Sequence, residues 1–298
     1  MVGHCVEGTA AIARPYHNPA VDSAVRRLNR EFDDAFRKLR EYLQRELGSL
    51  DTTGRILERN RFNIDRINRA LLPELKAKIR EFGFGDVLDT QIDGLKSLAE
   101  QVLEQAGESG LPVKFKETTG DVIKNLLQDA QKQILTDETK VAAELESMLR
   151  RSMTGNVMWD DLVDRIGRNL QITQRQAMTR ADDVVQSFFT TTRTLHFKDA
   201  GVDWFLYDGP RDDRNRVFCA RFVGTRFTLE GINHYPPRGQ EDLWQRPKST
   251  PLPPSQSLGG YGCRHEAVPL VTAEAINRYP VGPRFGKIPG VMKARVAA

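Results

Sequence analysis

The stretch 195-LHFKDAGVDWFLYDGPRDDRNRVFCARFVG-224 marks the position at which the chain changes from one kind of secondary structure to another. The helical spacing of apolar residues that precedes it stops at Gly201, and glycine commonly ends helices. Around Trp204, apolar and polar residues alternate as in a short strand, and residues 217–227 predict a further strand. We expect the strand around Trp204 to pair with the strand around Phe222.

The sequence before this stretch predicts a series of amphipathic helices, because apolar residues recur at intervals of three and four with charged residues between them. The first predicted helix follows Pro19 and ends at residue 48. The second covers 53–83, with a kink or break at Pro73, and the third covers 86–106. The remaining predicted helices are 119–151, with a break near Thr136 and Asp137, 160–170, and 173–200. Such apolar stripes predict an antiparallel bundle. The alternative is a helix that extends alone to reach a partner.

The fold class is therefore α+β, with a mainly helical N-terminal half and a smaller C-terminal α+β domain of short antiparallel strands. We place the helical region at 1–155, the α+β domain at 156–275 and an extended basic tail at 276–298. Residues 236–262 are rich in Pro, Gly, Ser and Gln, which predicts an irregular loop. The tail supplies five candidate contacts to a partner or to DNA, namely Arg278, Arg284, Lys287, Lys293 and Arg295.

Composition and charge narrow the classes of function. The formal net charge is +4, from 44 basic and 40 acidic residues, which is far from the dense positive charge of a dedicated nucleic-acid binder. The three cysteines are too few for a disulfide framework. The N-terminus does not resemble a signal peptide and no long apolar run is present, so we expect a protein made in the cytoplasm with no membrane partner.

Four residues near the C-terminus form a candidate metal site. Cys219, His234, Cys263 and His265 together offer two sulfurs and two nitrogens, a donor set that suits tetrahedral zinc. Cys263 and His265 are two residues apart, so both would point to one face of a strand. The alternative is that the cysteines are small buried residues and the histidines are solvated. Between the two, we expect no bound cofactor, with zinc as the open alternative.

A charged cluster follows the predicted strand. It contains the arginines Arg211, Arg214 and Arg216 beside the acidic residues Asp208, Asp212 and Asp213. Such a cluster forms either an internal network of ion pairs that fixes a turn or a contact surface for a partner. We favour the internal network.

The order of these motifs resembles the phage Mu F-like head morphogenesis family. The motifs are a helix ending in LHFKDAG, the strand VDWFLYD, the cluster DDRNRVFCARFVG, a Pro-rich loop with HYPPRG, and the closing GGYGCRHEAVPL, all within residues 173–270. The residues that match the family pattern are Trp204, Asp212, Asp213, Arg214, Arg216, Gly224, Gly262 and Arg264. Two residues depart from it: Cys219 stands where many relatives have His, and His265 where the family usually has its second Cys.

The resemblance implies a structural protein rather than an enzyme. Members of the family are minor capsid proteins of tailed bacteriophages that act in head morphogenesis near the portal vertex, and some are proposed to leave with the genome at ejection. For this chain it implies a place in the virion, several copies around the portal, and the portal, the major capsid protein and the packaged DNA as partners.

Two other functions remain open on the residues alone. A metal-dependent phage nuclease would use His234 and His265, with an acidic residue, to hold an ion that activates water. A helical adaptor outside phages would have an accidental C-terminal match, since single motifs often mislead.

Overall fold

The computed structural model describes residues 18–53, 56–57, 60–154, 158–213, 215–235, 253–259 and 263–282. The chain forms two compact units that divide between His196 and Phe197. The predicted boundary at residue 155 lies before this division, because one helix continues from Trp159 to Asp199. Among the described residues, no helix is both long enough and apolar enough to span a membrane.

The described part of the first unit is mostly helical. Its helices are α1 (Pro19–Gly48), α2 (Arg61–Asp65), α3 (Leu72–Ile79), α4 (Gly85–Glu108), α5 (Glu117–Thr154) and α6 (Trp159–Asp199). Two π-helical segments, Arg66–Leu71 and Arg80–Phe84, flank α3. A short antiparallel hairpin precedes α2 and consists of β1 (Thr52–Thr53) and β2 (Ile56–Leu57).

The apolar stripe of α1 is buried in the core of this unit, as its spacing predicts. The side chain of Asn18 caps the helix by accepting a hydrogen bond from the backbone N–H of Ala20. The rings of Phe32 and Phe36 are fully buried and pack against Phe84, with centroid distances of 6.2 and 5.4 Å. The buried face of α1 therefore packs against Phe84, the last residue of the π-helical segment that leads into α4.

The prediction of a helix from Thr53 is wrong, because that residue lies in the hairpin and the helix begins at Arg61. Asn60 supplies the N-cap, since its side chain accepts from the backbone N–H of Asn63. Asn63 is buried and bonds both the N–H and the carbonyl of Asp51. These two asparagines fix the turn between hairpin and helix, a role that a search for apolar spacing does not detect.

The interruption predicted at Pro73 is present as the π-helical segment that ends two residues before it. By contrast, the break predicted near Thr136 and Asp137 is absent, and α5 continues through both. Asp137 is held by Arg180 of α6 at 2.6 Å. The helices predicted at 160–170 and 173–200 are one helix, because the Thr173 hydroxyl donates to the carbonyl of residue 169 instead of capping a new helix.

We expect Asp182 to make stability depend on pH. Burial raises its pKa to about 6 from the ordinary 3.8, and the side chain of Asn29 opposes this shift with a hydrogen bond. The folded state therefore binds the proton more tightly than the unfolded state, so this carboxyl costs stability as pH rises through 4 to 6. Asp182→Asn should raise the urea midpoint at pH about 7.5 and lose that advantage near pH about 4. An equal effect at both values would contradict the assignment.

The described part of the second unit contains a three-stranded antiparallel sheet with short helices, which confirms the α+β class. Its strands are β3 (Phe205–Asp208), β4 (Arg226–Phe227) and β5 (Glu266–Pro269), in the order β4-β3-β5. Its helices are α7 (Val217–Phe222), α8 (Leu229–Asn233), α9 (Pro254–Ser257) and α10 (Ala273–Arg278). The predicted stop at Gly201 is present, with the positive φ of 91° that glycine tolerates.

The strand predicted at 217–227 is wrong over its first part, which is α7. Phe218 and Phe222 are four residues apart and fully buried on one face of this helix. The partner of β3 is therefore β4 rather than a strand around Phe222, with Phe205 opposite Phe227. Short apolar runs of this kind fit a strand or a buried helix equally well, so spacing alone did not distinguish them.

The segment predicted as an extended tail from 276 begins in regular structure. Arg278 is exposed in the last turn of α10. Val281 forms a parallel β-bridge with Arg226, the first residue of β4. The backbone N–H of Arg226 donates to the carbonyl of Pro280 at 2.8 Å. The other four predicted contact residues, Arg284, Lys287, Lys293 and Arg295, lie outside the described residues.

Candidate metal centre

Three of the four residues predicted as metal ligands come together in the second unit. Cys219 lies in α7, while Cys263 and His265 lie directly before β5. The Sγ atoms of Cys219 and Cys263 are 3.8 Å apart, and Cys263 Sγ is 3.7 Å from His265 Nδ1. All three donor atoms lie within 4.8 Å of one another. The cluster thus joins two segments that are 44 residues apart in sequence.

The imidazole of His265 is fixed by the backbone. Its Nε2 lies 3.0 Å from the carbonyl oxygen of Pro210, and a carbonyl can only accept, so Nε2 carries the proton. In the neutral ring, Nδ1 then keeps its lone pair, and Nδ1 is the atom that faces Cys263. A histidine that binds a metal commonly donates its other N–H to a carbonyl in this manner.

Glycine is required at two positions around the cluster. A Cβ on Gly259 would lie 3.0 Å from the Sγ of Cys263 and closer still to that of Cys219. Gly209 has φ of 152°, and a Cβ there would lie 2.8 Å from Cγ of His265. The backbone at these two glycines therefore approaches the sulfurs and the imidazole more closely than any other residue would permit.

Tyr207 of the central strand β3 lies against both sulfurs of the cluster. Its hydroxyl donates to Sγ of Cys219 at 3.3 Å and lies 3.7 Å from Sγ of Cys263. The ring is fully buried among Phe218, Phe222 and Phe227. Burial raises the pKa of the Tyr207 hydroxyl well above its usual value, so it stays protonated and remains a donor.

The two thiols differ in their tendency to ionise. The hydrogen bond with Cys219 holds the pKa of Cys263 well below its usual value, and His265 acts in the same direction against the cost of burial. The same hydrogen bond, together with burial, raises the pKa of Cys219. Negative charge in the cluster is thus favoured on Cys263, and a thiolate is the form of cysteine that binds metals.

His234, the fourth predicted ligand, does not join the group. It follows α8 as the C-cap residue and is exposed to solvent. His265, by contrast, is 2% exposed, so the alternative in which both histidines are solvated is wrong for His265. Within the described part of the chain, Cys219, Cys263 and His265 form the one group of three His, Cys, Asp or Glu residues with converging donor atoms.

No protein-family model, curated protein sequence or solved structure matches this chain.

An ion pair outside the cluster connects the two motif segments. Arg264 donates to both carboxylate oxygens of Asp212, at 2.8 and 2.6 Å, and also to the side chain of Asn215 at 3.4 Å. Arg216 donates to the carbonyl of Gly259 at 3.2 Å. The partner of Asp212 is thus Arg264 rather than an arginine of its own cluster, and Arg211 and Arg216 donate to backbone carbonyls.

The other described residues that match the family pattern lie in the same unit. The Arg226 guanidinium lies 5.0 Å from the ring centroid of Trp204. Gly224 has φ of 78° and follows Val223, whose carbonyl accepts from Arg211 at 2.8 Å. Asp213 is exposed, and Arg214 and Gly262 lie outside the described residues.

Sequence reasoning did not select Tyr207, Gly209 and Gly259, although each contacts the cluster. Tyr207 was an ordinary residue of a predicted strand, and Gly259 lay in a segment predicted as an irregular loop. The repeated Gly259-Gly260 pair beside Cys263 was the one available signal, since paired glycines often mark a close backbone approach. Two sulfurs and one imidazole in this arrangement can bind a divalent metal ion such as zinc. Without a metal, the two thiols can be oxidised to a disulfide.

Proposed function

We propose that this chain is a structural minor head protein of a tailed bacteriophage, associated with the portal vertex and acting in head morphogenesis. The observation that supports this proposal is the convergence of the motif residues. Asp212 and Arg264 are 52 residues apart in sequence yet form a bidentate ion pair, and Trp204 and Gly224 lie in the same compact unit, which is built on β3. A match by chance requires no such convergence, so the helical-adaptor hypothesis is less favoured.

The contacts in this unit are those of a framework. Asp212 and Arg264 form a bidentate ion pair across 52 residues, and Arg216 holds the backbone at Gly259. Bidentate pairs fix geometry as well as adding energy. The motif residues thus maintain the shape of a small module, which fits a protein whose function is to present surfaces to other head proteins.

The first unit suits the same role. Helices α1, α4, α5 and α6 have 24 to 41 residues each, and their exposed faces carry charged residues with short-range ion pairs such as Arg150 with Glu146. Long helices of this kind can pack along the helices of the portal or of neighbouring copies. The portal and the major capsid protein are the proposed partners, with the packaged DNA as a further contact.

The nuclease hypothesis required His234 and His265 to hold one ion together. His234 is exposed and is not part of the group around His265, so this arrangement receives no support from the geometry. We expect no nicking of supercoiled plasmid by the purified chain with magnesium, manganese or zinc. Nicking that is lost in His265→Ala would revive the nuclease hypothesis.

Association with head proteins tests the proposal directly. We expect the tagged full-length chain to capture the portal protein, the major capsid protein or both when the three are co-expressed. The control is the same tagged chain with the portal and capsid proteins of an unrelated phage, which should not be captured. Recovery of neither proposed partner, with all three proteins in the soluble fraction, would contradict the proposal.

A further inference from the structure

We infer that Cys219, Cys263 and His265 bind a zinc ion that joins α7 to the segment preceding β5. The inference does not depend on a role in phage heads, because it rests on the donor atoms and on the groups that position them. It also replaces the four-ligand set that the sequence suggested, since His234 lies outside the group.

The spacing of the donor atoms fits one tetrahedral ion. Two sulfurs bound to zinc at about 2.3 Å in tetrahedral geometry lie about 3.8 Å apart, and a bound sulfur and imidazole nitrogen lie about 3.6 Å apart. The observed separations are 3.8 Å between the two Sγ atoms and 3.7 Å between Cys263 Sγ and His265 Nδ1. These two separations match a common tetrahedral ion, and the third, between Cys219 Sγ and the His265 imidazole, lies within 4.8 Å.

The surroundings prepare each donor for a metal. The Pro210 carbonyl holds the proton on Nε2 of His265, so the lone pair of the neutral ring is on Nδ1, the atom that faces Cys263. Gly209 permits the close approach of backbone that this contact requires. Gly259 keeps a side chain out of the space beside both sulfurs. The Tyr207 hydroxyl donates to Sγ of Cys219, a hydrogen bond that would stabilise the charge of that sulfur when it is bound to a metal.

The donor set selects the metal. Thiolate and imidazole ligands together favour zinc over the hard cations magnesium and calcium, which prefer oxygen. Three protein ligands leave one position of the tetrahedron for water or a further donor. The ion would join segments 44 residues apart in sequence, so it would stabilise the small second unit in the way that metals stabilise other small domains.

Elemental analysis of the purified full-length chain tests the inference. We expect about one zinc per chain for the wild type and a loss to background in Cys219→Ser, Cys263→Ser and His265→Ala. His234→Ala should keep its zinc, since that histidine is exposed and outside the group. The result that overturns the inference is a wild type without zinc after growth in zinc-supplemented medium, or zinc that persists in all three ligand variants.

A variant that keeps a ligand at position 265 separates metal binding from simple misfolding, and a variant of Gly259 tests the space beside the two sulfurs. His265→Cys retains a metal ligand at that position, so it should keep zinc, and its cobalt form should show stronger sulfur-to-metal charge transfer than the wild type. Gly259→Ala should lose zinc because its Cβ would contact both sulfurs, whereas Gly167→Ala, which meets nothing within 4 Å, should keep it. Loss of zinc in His265→Cys, or full zinc in Gly259→Ala, would count against the site.

Measurement of the intact mass tests whether Cys219 and Cys263 form a disulfide instead of binding a metal. If they formed a disulfide in the protein purified under reducing conditions, the chain would be lighter by two hydrogens and both thiols would resist alkylation. That result would overturn the zinc inference. Thiols that are alkylated only after a chelator is added would support it.

Discussion

Replacing Gly209 with alanine is expected to destabilise the C-terminal unit by about 3 kcal/mol, the range of a strained backbone combined with a buried clash. The residue has φ of 152°, which a side chain rarely tolerates. The added Cβ would also lie 3.0 Å from Cα of His265, and this is backbone that cannot rotate away. The strain therefore falls on the junction between the end of β3 and the start of β5.

Hydrogen exchange measured by mass spectrometry can locate this effect. In Gly209→Ala, the amides of β3 and β5 should exchange roughly 100-fold faster than in the wild type if they open with the unit. Gly167→Ala is the matched control, because that glycine lies inside α6 with nothing within 4 Å of the added Cβ. It should leave β3 and β5 unchanged. Equal exchange in the two variants would contradict the described packing at Gly209.

Arg180→Ala is expected to destabilise the helical unit by roughly 3–5 kcal/mol, because it would leave the carboxylate of Asp137 buried without its cation. The Asp137 side chain is 2% exposed and receives Arg180 Nη2 at 2.6 Å. Gln133 also donates to Asp137, at 3.3 Å, but carries no charge to replace that of arginine. The pair connects α5 to α6 at the position where the sequence predicted a break.

Urea unfolding followed by the helical circular dichroism signal measures this loss. Lys132→Ala is the matched control on the same helix, since its ion pair with Asp129 is about three-quarters exposed and should matter little. Joint replacement of Arg180 and Asp137 by leucine should recover part of the stability, because the uncompensated charge is then removed. A loss in Arg180→Ala no greater than in Lys132→Ala would show that the pair is not buried as described.

The parts of the fold that follow from local patterns could be predicted from the sequence. The stripe on α1 and the stop at Gly201 depend on spacing and on one backbone conformation, and both are present. The hairpin before Arg61 and the helix α7 could not be predicted in this way. The hairpin depends on side-chain bonds of asparagine to backbone, and α7 is too short for its spacing to differ from that of a buried strand.

For the site, residue type identified three donors but could not reveal which of them converge. Cys219 meets Cys263 because α7 packs beside β3, and that packing depends on the buried rings of Phe218 and Phe222. His234 has suitable chemistry, but the cap of α8 leaves it exposed. Tyr207 contacts both sulfurs, but nothing in the sequence around it distinguishes it from any other residue of a buried strand.

Sedimentation of assembled heads tests the structural role most directly. We expect the full-length chain to co-sediment with heads assembled from the major capsid and portal proteins of its own gene cluster, in a few copies per head. It should remain near the top of the gradient when the portal protein is left out, since the proposed attachment is at the portal vertex. A chain that stays at the top in both cases would contradict the proposed function.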